Sequence, residues 1–312
     1  MTPLTMTIII PTHNRFDEFQ NAVRSILDQT RKPDAVIVVH DGAGEIAEDT
    51  KIKFEQAGIK YKYIKRANPS LTASRNAGLD ACDTAIAIFG EDDALFDSNF
   101  CKRAEEFFQA DAARQIACIG ANIIEPHLQT KAGKIWSFAA NFFCQVRWRP
   151  RVCKARYIKL PRAISHRLKP SLLTAGAGIC LRMDKINRMR FNENLTGAAF
   201  GEDRDFSYRL TQQASVFYSP ELILTHHPGP GGRGDMVERG KIYVHNSLLI
   251  FSNATEKGAG TAMFLAWDLI GTIFLYTLAG LAGLQKENLK FAGAMLAELF
   301  KILLKKIGGM LR

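Results

Sequence analysis

Three consecutive carboxylates, Glu91-Asp92-Asp93, follow a glycine and the apolar run Ile86 to Phe89. Hard divalent cations take oxygen ligands, so this cluster is the best-suited metal-binding group in the chain. A second acid pair, Glu202-Asp203, opens a polar helix-forming stretch after Gly201, and a carboxylate there has the chemistry of a general base. His226, which precedes a run rich in proline and glycine, could complete a metal shell through its imidazole. Asp41, ahead of Gly42, could accept hydrogen bonds from a nucleotide base or ribose. Each signal also fits a plainer role, because acids favour helix N-termini and Asp-Gly is a common turn.

The elements that would position these residues alternate between strand and helix. Met6 to Ile10 reads as a buried strand stopped by Pro11, followed by the polar loop Thr12-His13-Asn14-Arg15 and a helix with apolar residues at Ala22, Val23, Ile26 and Leu27. Ala35 to Val39 is a second strand ending in His40-Asp41-Gly42, and Tyr61 to Ile64 a third after a helix through Ile52 to Ala57. A helix over Leu71 to Ala81 carries Arg75, Asn76 and Gly78, and the strand Thr84 to Phe89 delivers the acids. This order predicts an α/β protein with a mostly parallel central sheet and crossover helices. Ligands in such sheets gather at the carboxyl ends of the strands, where all these polar groups fall.

The 312 residues, 47% hydrophobic, suffice for one large α/β domain with an appendage. A formal charge of +10 points to an acidic partner, whether phosphate, anionic lipid or nucleic acid. Six cysteines (Cys82, Cys101, Cys118, Cys144, Cys153, Cys180) form no CxxC pair, which predicts reduced thiols and a cytosolic setting. The first apolar run is too short for a signal peptide and reads as the first strand. No GxGxxG follows that strand and no GxxxxGK[ST] occurs anywhere, which argues against a dinucleotide fold and a P-loop ATPase.

Beyond a helix near Cys101 to Ala110 and a strand near Ile116 to Ile124, no Asp or Glu occurs between Glu125 and Asp184. Basic residues gather there from Arg147 to Lys169, interleaved with Trp136, Phe142, Phe143, Trp148 and Tyr157. Such a segment suits nucleic acid, an anionic lipid surface or a plain solvated loop. The small residues of Ser171 to Leu181 would let a substrate approach the backbone closely. Val216 to Tyr218 and Leu222 to Thr225 read as two short strands, and the loop from His226 to Arg233 could close over a ligand. In the tail, Ala262 to Leu284 is apolar apart from Asp268 and about long enough to span a bilayer at roughly 20 residues. Leu289 to Met310 carries an apolar stripe flanked by lysines, the pattern of an interfacial helix.

The order of motifs resembles a family 2 glycosyltransferase of the GT-A fold over roughly Met6 to Ser219. Ile-Ile-Ile-Pro-Thr-His-Asn-Arg is similar to the family's opening motif, and Val38-Val39-His40-Asp41-Gly42 to its paired-aspartate motif, with His40 in place of the first Asp. Arg75-Asn76-Ala77-Gly78 matches the Arg-Asn-x-Gly segment. Glu91-Asp92-Asp93 stands at the metal-binding DxD position with Gly90 where its first aspartate would fall, and Glu202-Asp203 stands at the base-bearing ED motif. The resemblance implies an inverting transferase with a nucleotide-sugar donor, a Mg²⁺ or Mn²⁺ cofactor and a glycan or lipid-linked acceptor in cell-surface polysaccharide synthesis. It implies Asp203 as base beside Glu202, and donor contacts from Thr12, Asn14, Arg15, Asp41, Arg75, Asn76 and Gly78. Metal contact falls to Asp92 first, helped by Asp93, Glu91 and His226. Residues 1–233 would form the catalytic domain and 234–312 a helical region meeting an anionic membrane at its cytoplasmic face. A nucleotidyltransferase of similar fold lacks its usual glycine-rich phosphate loop here, and a nucleic-acid-binding role for residues 147–169 lacks a recognised motif.

Overall fold

A computed structural model describes residues 3–143, 154–197, 199–227, 235–253, 258–283 and 286–310. Arg147, Trp148, Arg149 and Arg151 of the basic stretch, the loop after His227 and the boundary at 233 lie outside the described residues. The chain divides into two compact units. The first comprises Met1–Pro126, Pro150–Glu193 and Glu202–Gly232, and the second His127–Arg149, Asn194–Gly201 and Arg233–Arg312.

The first unit is built on one sheet. Its elements run β1 (Met6–Thr12), α1 (Phe16–Leu27), β2 (Ala35–His40), α2 (Glu48–Gln56), β3 (Lys60–Lys65), α3 (Leu71–Ala81), β4 (Ile86–Phe89), β5 (Ala94–Phe96), α4 (Phe100–Ala110) and β6 (Cys118–Ile124). After α5 (Lys131–Phe143), which belongs to the second unit, come α6 (Arg162–Ser165), β7 (Lys169–Pro170), β8 (Cys180–Arg182), α7 (Glu202–Gln213) and β9 (Val216–His226). The strand order is β3-β2-β1-β4-β8-β6-β9-β5, with β7 also on β9. The first four strands are parallel, as the crossover helices require, whereas β8 joins β4 and β6 antiparallel and β5 joins β9 antiparallel. The sheet is therefore mixed beyond β4.

Why β1 sits at the centre of the parallel half follows from its sequence. All seven of its residues are buried, the mark of a strand covered on both faces. Period-two alternation sends Met6, Ile8 and Ile10 into one core with Phe19, Val23 and Phe107, and sends Ile9 into the other with Leu79, Phe89 and Phe206. Gly78 of α3 is the near point of that second face, since a Cβ there would lie 2.2 Å from Ile9 Cγ2. The register aligns Thr12 with His40 and His40 with Lys65, so the polar residues that follow β1, β2 and β4 share one rim.

Two elements depart from the sequence reading. Ala94–Phe96 forms β5, because Leu95 pairs with Thr225 directly after the acids. The two short strands expected after Val216 are one strand of 11 residues, β9, paired with β6 along both halves around an irregularity between Gly120 and Asn122. The glycine-containing segment before β8 becomes strand only at Cys180. Among the described residues Cys82, Cys101, Cys118 and Cys180 are free thiols, and burial raises the last three above the usual thiol range.

The second unit is helical: α5, α8 (Met236–Asn253), α9 (Ala259–Leu281) and α10 (Glu287–Met310). Val244, Leu265, Leu269, Phe291 and Met295 make its core. The 13-residue α5 is the element the sequence concealed, since its alanines, lysines and aromatics lie inside a stretch whose charge dominated the reading.

Candidate active site

The rim past β4 holds the acids in a turn between β4 and β5, and each carboxylate divides its two oxygens between different partners. Asp93 Oδ2 accepts from Arg15 Nη1 at 2.6 Å, while its Oδ1 lies 3.3 Å from His226 Nε2. Glu91 Oε1 accepts from Arg75 Nη2 at 2.9 Å, while its Oε2 lies 3.7 Å from the same His226 nitrogen. Asp92 has both oxygens engaged elsewhere, by Thr12 Oγ1 at 2.9 Å and Arg15 Nη1 at 3.1 Å. The result is a donor set of Glu91, Asp93 and His226 whose ligand atoms all lie within 4.8 Å of one another. Asp92, expected to make the first metal contact, bonds Thr12 and Arg15 of the loop after β1.

His226 is the last residue of β9, and the pairing of Ala94 with His226 fixes it beside the acids. The next residue continues that bracing, His227 N–H donating to the Asp93 carbonyl at 2.8 Å. On its other ring nitrogen, Nδ1 lies 3.3 Å from Glu125 Oε1, just beyond the end of β6. Sequence reading missed Glu125, whose signal was only that it is the last acid before the acid-free stretch. Burial pulls the His226 pKa down, but hydrogen bonds to Asp93 and Glu125 and the charges of Asp93 and Glu91 override it and raise the imidazolium to about 10. Burial likewise raises Asp92 to about 6 against the opposing pull of Arg15. Two carboxylates supply the oxygen donors that Mg²⁺ and Mn²⁺ prefer, with the His226 imidazole as a nitrogen donor beside them, so the residues fit a divalent ion.

Behind this set lies a wholly buried arginine. Arg75 donates to Glu91 at 2.9 Å and, through Nη1, to Glu202 Oε1 at 2.6 Å, and its guanidinium sits 5.1 Å from the centre of the Phe191 ring. An arginine can be buried this deeply only because two carboxylates and an aromatic face replace its water. Gly176 leaves room for it, since a Cβ there would lie 2.5 Å from Arg75 Nη2. The small residues before β8 thus accommodate a side chain. Burial pushes the Glu202 carboxyl up, and the charge of Asp203 pushes the same way, while Arg75 opposes both. Asp203 follows in the first turn of α7, where the helix dipole favours a carboxylate, and its Oδ1 accepts from the Arg204 backbone N–H at 2.8 Å.

The remaining predicted residues divide between rim and packing. Asp41 is buried, with Oδ2 accepting from Ser70 N–H at 2.8 Å and Ser74 Oγ at 2.9 Å, and Oδ1 3.1 Å from His13 Nδ1. Asn14 adopts a left-handed conformation (φ 55°) and its Oδ1 accepts from Ala43 N–H, tying the loop after β1 to the loop after β2. His40 is fully buried with Nδ1 at 3.0 Å from Tyr63 Oη, and burial together with Lys65 lowers its pKa. Asn76 is not presented to the rim: its amide donates to the Phe191 carbonyl and Glu193 and its Oδ1 accepts from Phe191 N–H. Gly78 lies against Ile9 and serves helix packing.

Comparison with known proteins bears on the family and the fold. The family described as "Glycosyl transferase family 2" matches residues 7–163, just over half of the chain. Glycosyltransferase GlyA of Streptococcus pneumoniae is 28% identical over 112 residues, which cover 35% of this chain and 16% of GlyA, so the chain spans a small part of that relative. Among solved structures, residues 1–349 of TarS from S. aureus in complex with UDP-GlcNAc align at a TM-score of 0.53 and 16% identity, over 93% of this chain and 79% of that one. A mannosyltransferase from Pyrobaculum calidifontis, PcManGT, in complex with GDP-Man and Mn²⁺ aligns at a TM-score of 0.54 and 13% identity, over 97% and 81%. At these identities the likeness shows the fold, which is that of the GT-A glycosyltransferases.

Proposed function

Given that the chain belongs to glycosyl transferase family 2, we propose that it moves a sugar from a nucleotide-sugar donor to a hydroxyl of a glycan or lipid-linked acceptor in surface polysaccharide synthesis, with inversion at the anomeric carbon. The observation that carries this reading is the buried chain Glu91–Arg75–Glu202, which places the donor set of one rim next to the residue preceding Asp203. The solved neighbours bind UDP-GlcNAc and GDP-Man, and Mn²⁺ accompanies the latter, which supports a nucleotide-sugar and a divalent ion for this chain.

In the mechanism, Asp41 and the loop after β1 hold the nucleoside. Glu91, Asp93 and His226 would hold Mg²⁺ or Mn²⁺, and such an ion, when bound, supplies charge neutralisation for the departing diphosphate. Arg15, whose Nη1 bridges Asp92 and Asp93, offsets the repulsion between these carboxylates and adds positive charge on the donor side. The Asp203 carboxylate takes the proton of the acceptor hydroxyl as that oxygen attacks the anomeric carbon. The bond from that carbon to the diphosphate oxygen breaks, and the nucleoside diphosphate leaves with the electron pair. A single displacement inverts the centre and needs no covalent nucleophile. Arg75 holds Glu202 so that its charge does not swing toward the base.

The test is a panel of nucleotide-sugars with Mn²⁺, read by release of nucleoside diphosphate and by the anomeric configuration of any product. Asp203→Asn should lower turnover by about 10³-fold, within the range general-base catalysis contributes. Full activity in that variant, or retention of configuration, overturns the reading.

A further inference from the structure

Helix α9 is long and apolar enough to cross a membrane. Within the second unit it has one exposed face and one buried face. Met263, Trp267, Ile270, Phe274, Leu278 and Leu281 are all exposed, and their spacing of three and four residues draws one stripe along the whole helix. The opposite face is committed to protein: Leu265, Leu269 and Leu275 are buried, and the Asp268 carboxylate accepts from Tyr243 Oη of α8 at 3.1 Å.

Helix α5 supplies a second stripe. Ile135 and Phe138 are exposed by 71% and 75%, and Phe142 stands one turn further on the same face. The two stripes meet. Trp267 Nε1–H donates to the Phe142 carbonyl at 3.1 Å, the Phe142 and Trp267 rings cross edge to face at 5.6 Å, and Phe143 stacks on Trp267 at 5.3 Å. Gly271 permits this approach, since a Cβ there would come within 2.3 Å of Phe143 Cβ. Nine large apolar side chains on these two helices are each about half or more exposed, and exposed apolar surface gathered on one face marks an interaction site.

We propose that α5 and α9 together form an in-plane docking face that lies in the headgroup boundary of a membrane containing anionic phospholipid, with α9 parallel to the bilayer. Charge decides the occupant. Lys131 stands one turn before Ile135 on the same edge, Lys134 adjoins it, both are exposed, and the sequence from there to Asp184 holds no acid. Anionic headgroups complement that edge, whereas a second copy docked face to face would bring like charges together. Packing decides the orientation. A crossing α9 would draw the exposed Lys241 and His245 of α8 and Lys290 and Lys301 of α10 toward hydrocarbon, where charge is costly. An in-plane α9 leaves them in water. This inference stands apart from the sugar-transfer reading, and its failure would leave that reading untouched.

The experiment is flotation of the full chain on phosphatidylcholine vesicles with and without phosphatidylglycerol. Binding to the anionic vesicles should be at least about tenfold tighter, and should weaken in high salt. The double variant Phe138→Glu, Ile270→Glu changes only exposed positions and should lose flotation while keeping its melting transition. Bound wild-type protein should be stripped by alkaline carbonate, and its tryptophan fluorescence should be quenched by lipids brominated near the headgroup, a reading that requires no variant. Absence of both flotation and quenching overturns the proposal, as does equal binding by the variant. Resistance to carbonate would mean a crossing helix, and a wild-type dimer that the double variant converts to monomer would mean an interface between copies.

Discussion

At the scale of single residues, the site is governed by how carboxylate oxygens are shared. Asp93 and Glu91 each give one oxygen to an arginine and turn the other toward His226, so metal would replace a proton on His226. The sign follows from the raised pKa. With the folded-state value near 10 and the ordinary value near 6.5, the imidazolium stabilises the metal-free fold fully below pH 6.5, and this contribution is lost as pH rises through 10. One proton then leaves per ion bound, and Mn²⁺ affinity should rise about tenfold per pH unit between pH 7 and 9. Calorimetry in buffers of different ionisation enthalpy measures that proton directly. Glu125→Gln removes the charge that orients the ring from behind, and should weaken Mn²⁺ binding by about 10- to 100-fold while leaving the fold intact. An unchanged affinity would assign Glu125 to surface charge alone. For Asp92, which the motif pattern singled out, the sequence gives a place in the order of acids, whereas its partners Thr12 and Arg15 come from a loop some 80 residues earlier.

At the scale of elements, the parallel half of the sheet was legible because its strands are continuous apolar runs and its helices carry the complementary period, as Ile8-Ile9-Ile10 and the Ala22-Val23-Ile26 face show. Helix α3 was readable to the residue, since Ser70 caps it and Cys82 ends it. What escaped were elements defined by partners far along the chain. Three residues of β5 become a strand only because β9 lies beside them, and β9 reads as two pieces because Pro220 interrupts its apolar pattern. The seat of α3 on β1 yields a prediction of its own. Gly78→Ala puts a methyl group against Ile9 and should destabilise the protein by about 1–3 kcal/mol, as overpacking does, measured as a shift in the urea midpoint at unchanged slope. Replacing Arg75 by Met leaves Glu91 and Glu202 without their shared counter-charge, and should cost about 3–5 kcal/mol.

At the scale of the molecule, ligand and fold are linked. A divalent ion held by residues 91, 93 and 226 would tie β4, β5 and β9 to one point, and should stabilise the chain by about 2.7 kcal/mol at a hundredfold excess over its dissociation constant. Thermal melting against Mn²⁺ concentration would show this, with EDTA returning the transition to its starting point. The net charge of +10 says that the surface attracts acidic groups but not where, because composition carries no address. One further property follows from the strand order. Strand β4 pairs with β1 on one side, but its other neighbour, Cys180–Arg182, is encoded about a hundred residues later, and β9 later still. A chain emerging from the ribosome therefore completes its four parallel strands while β4 still presents an open hydrogen-bonding edge, the condition under which nascent proteins pair with the wrong partner. The three acids that follow β4 would then stand beside that edge during synthesis, and charge next to an open edge disfavours pairing with another chain.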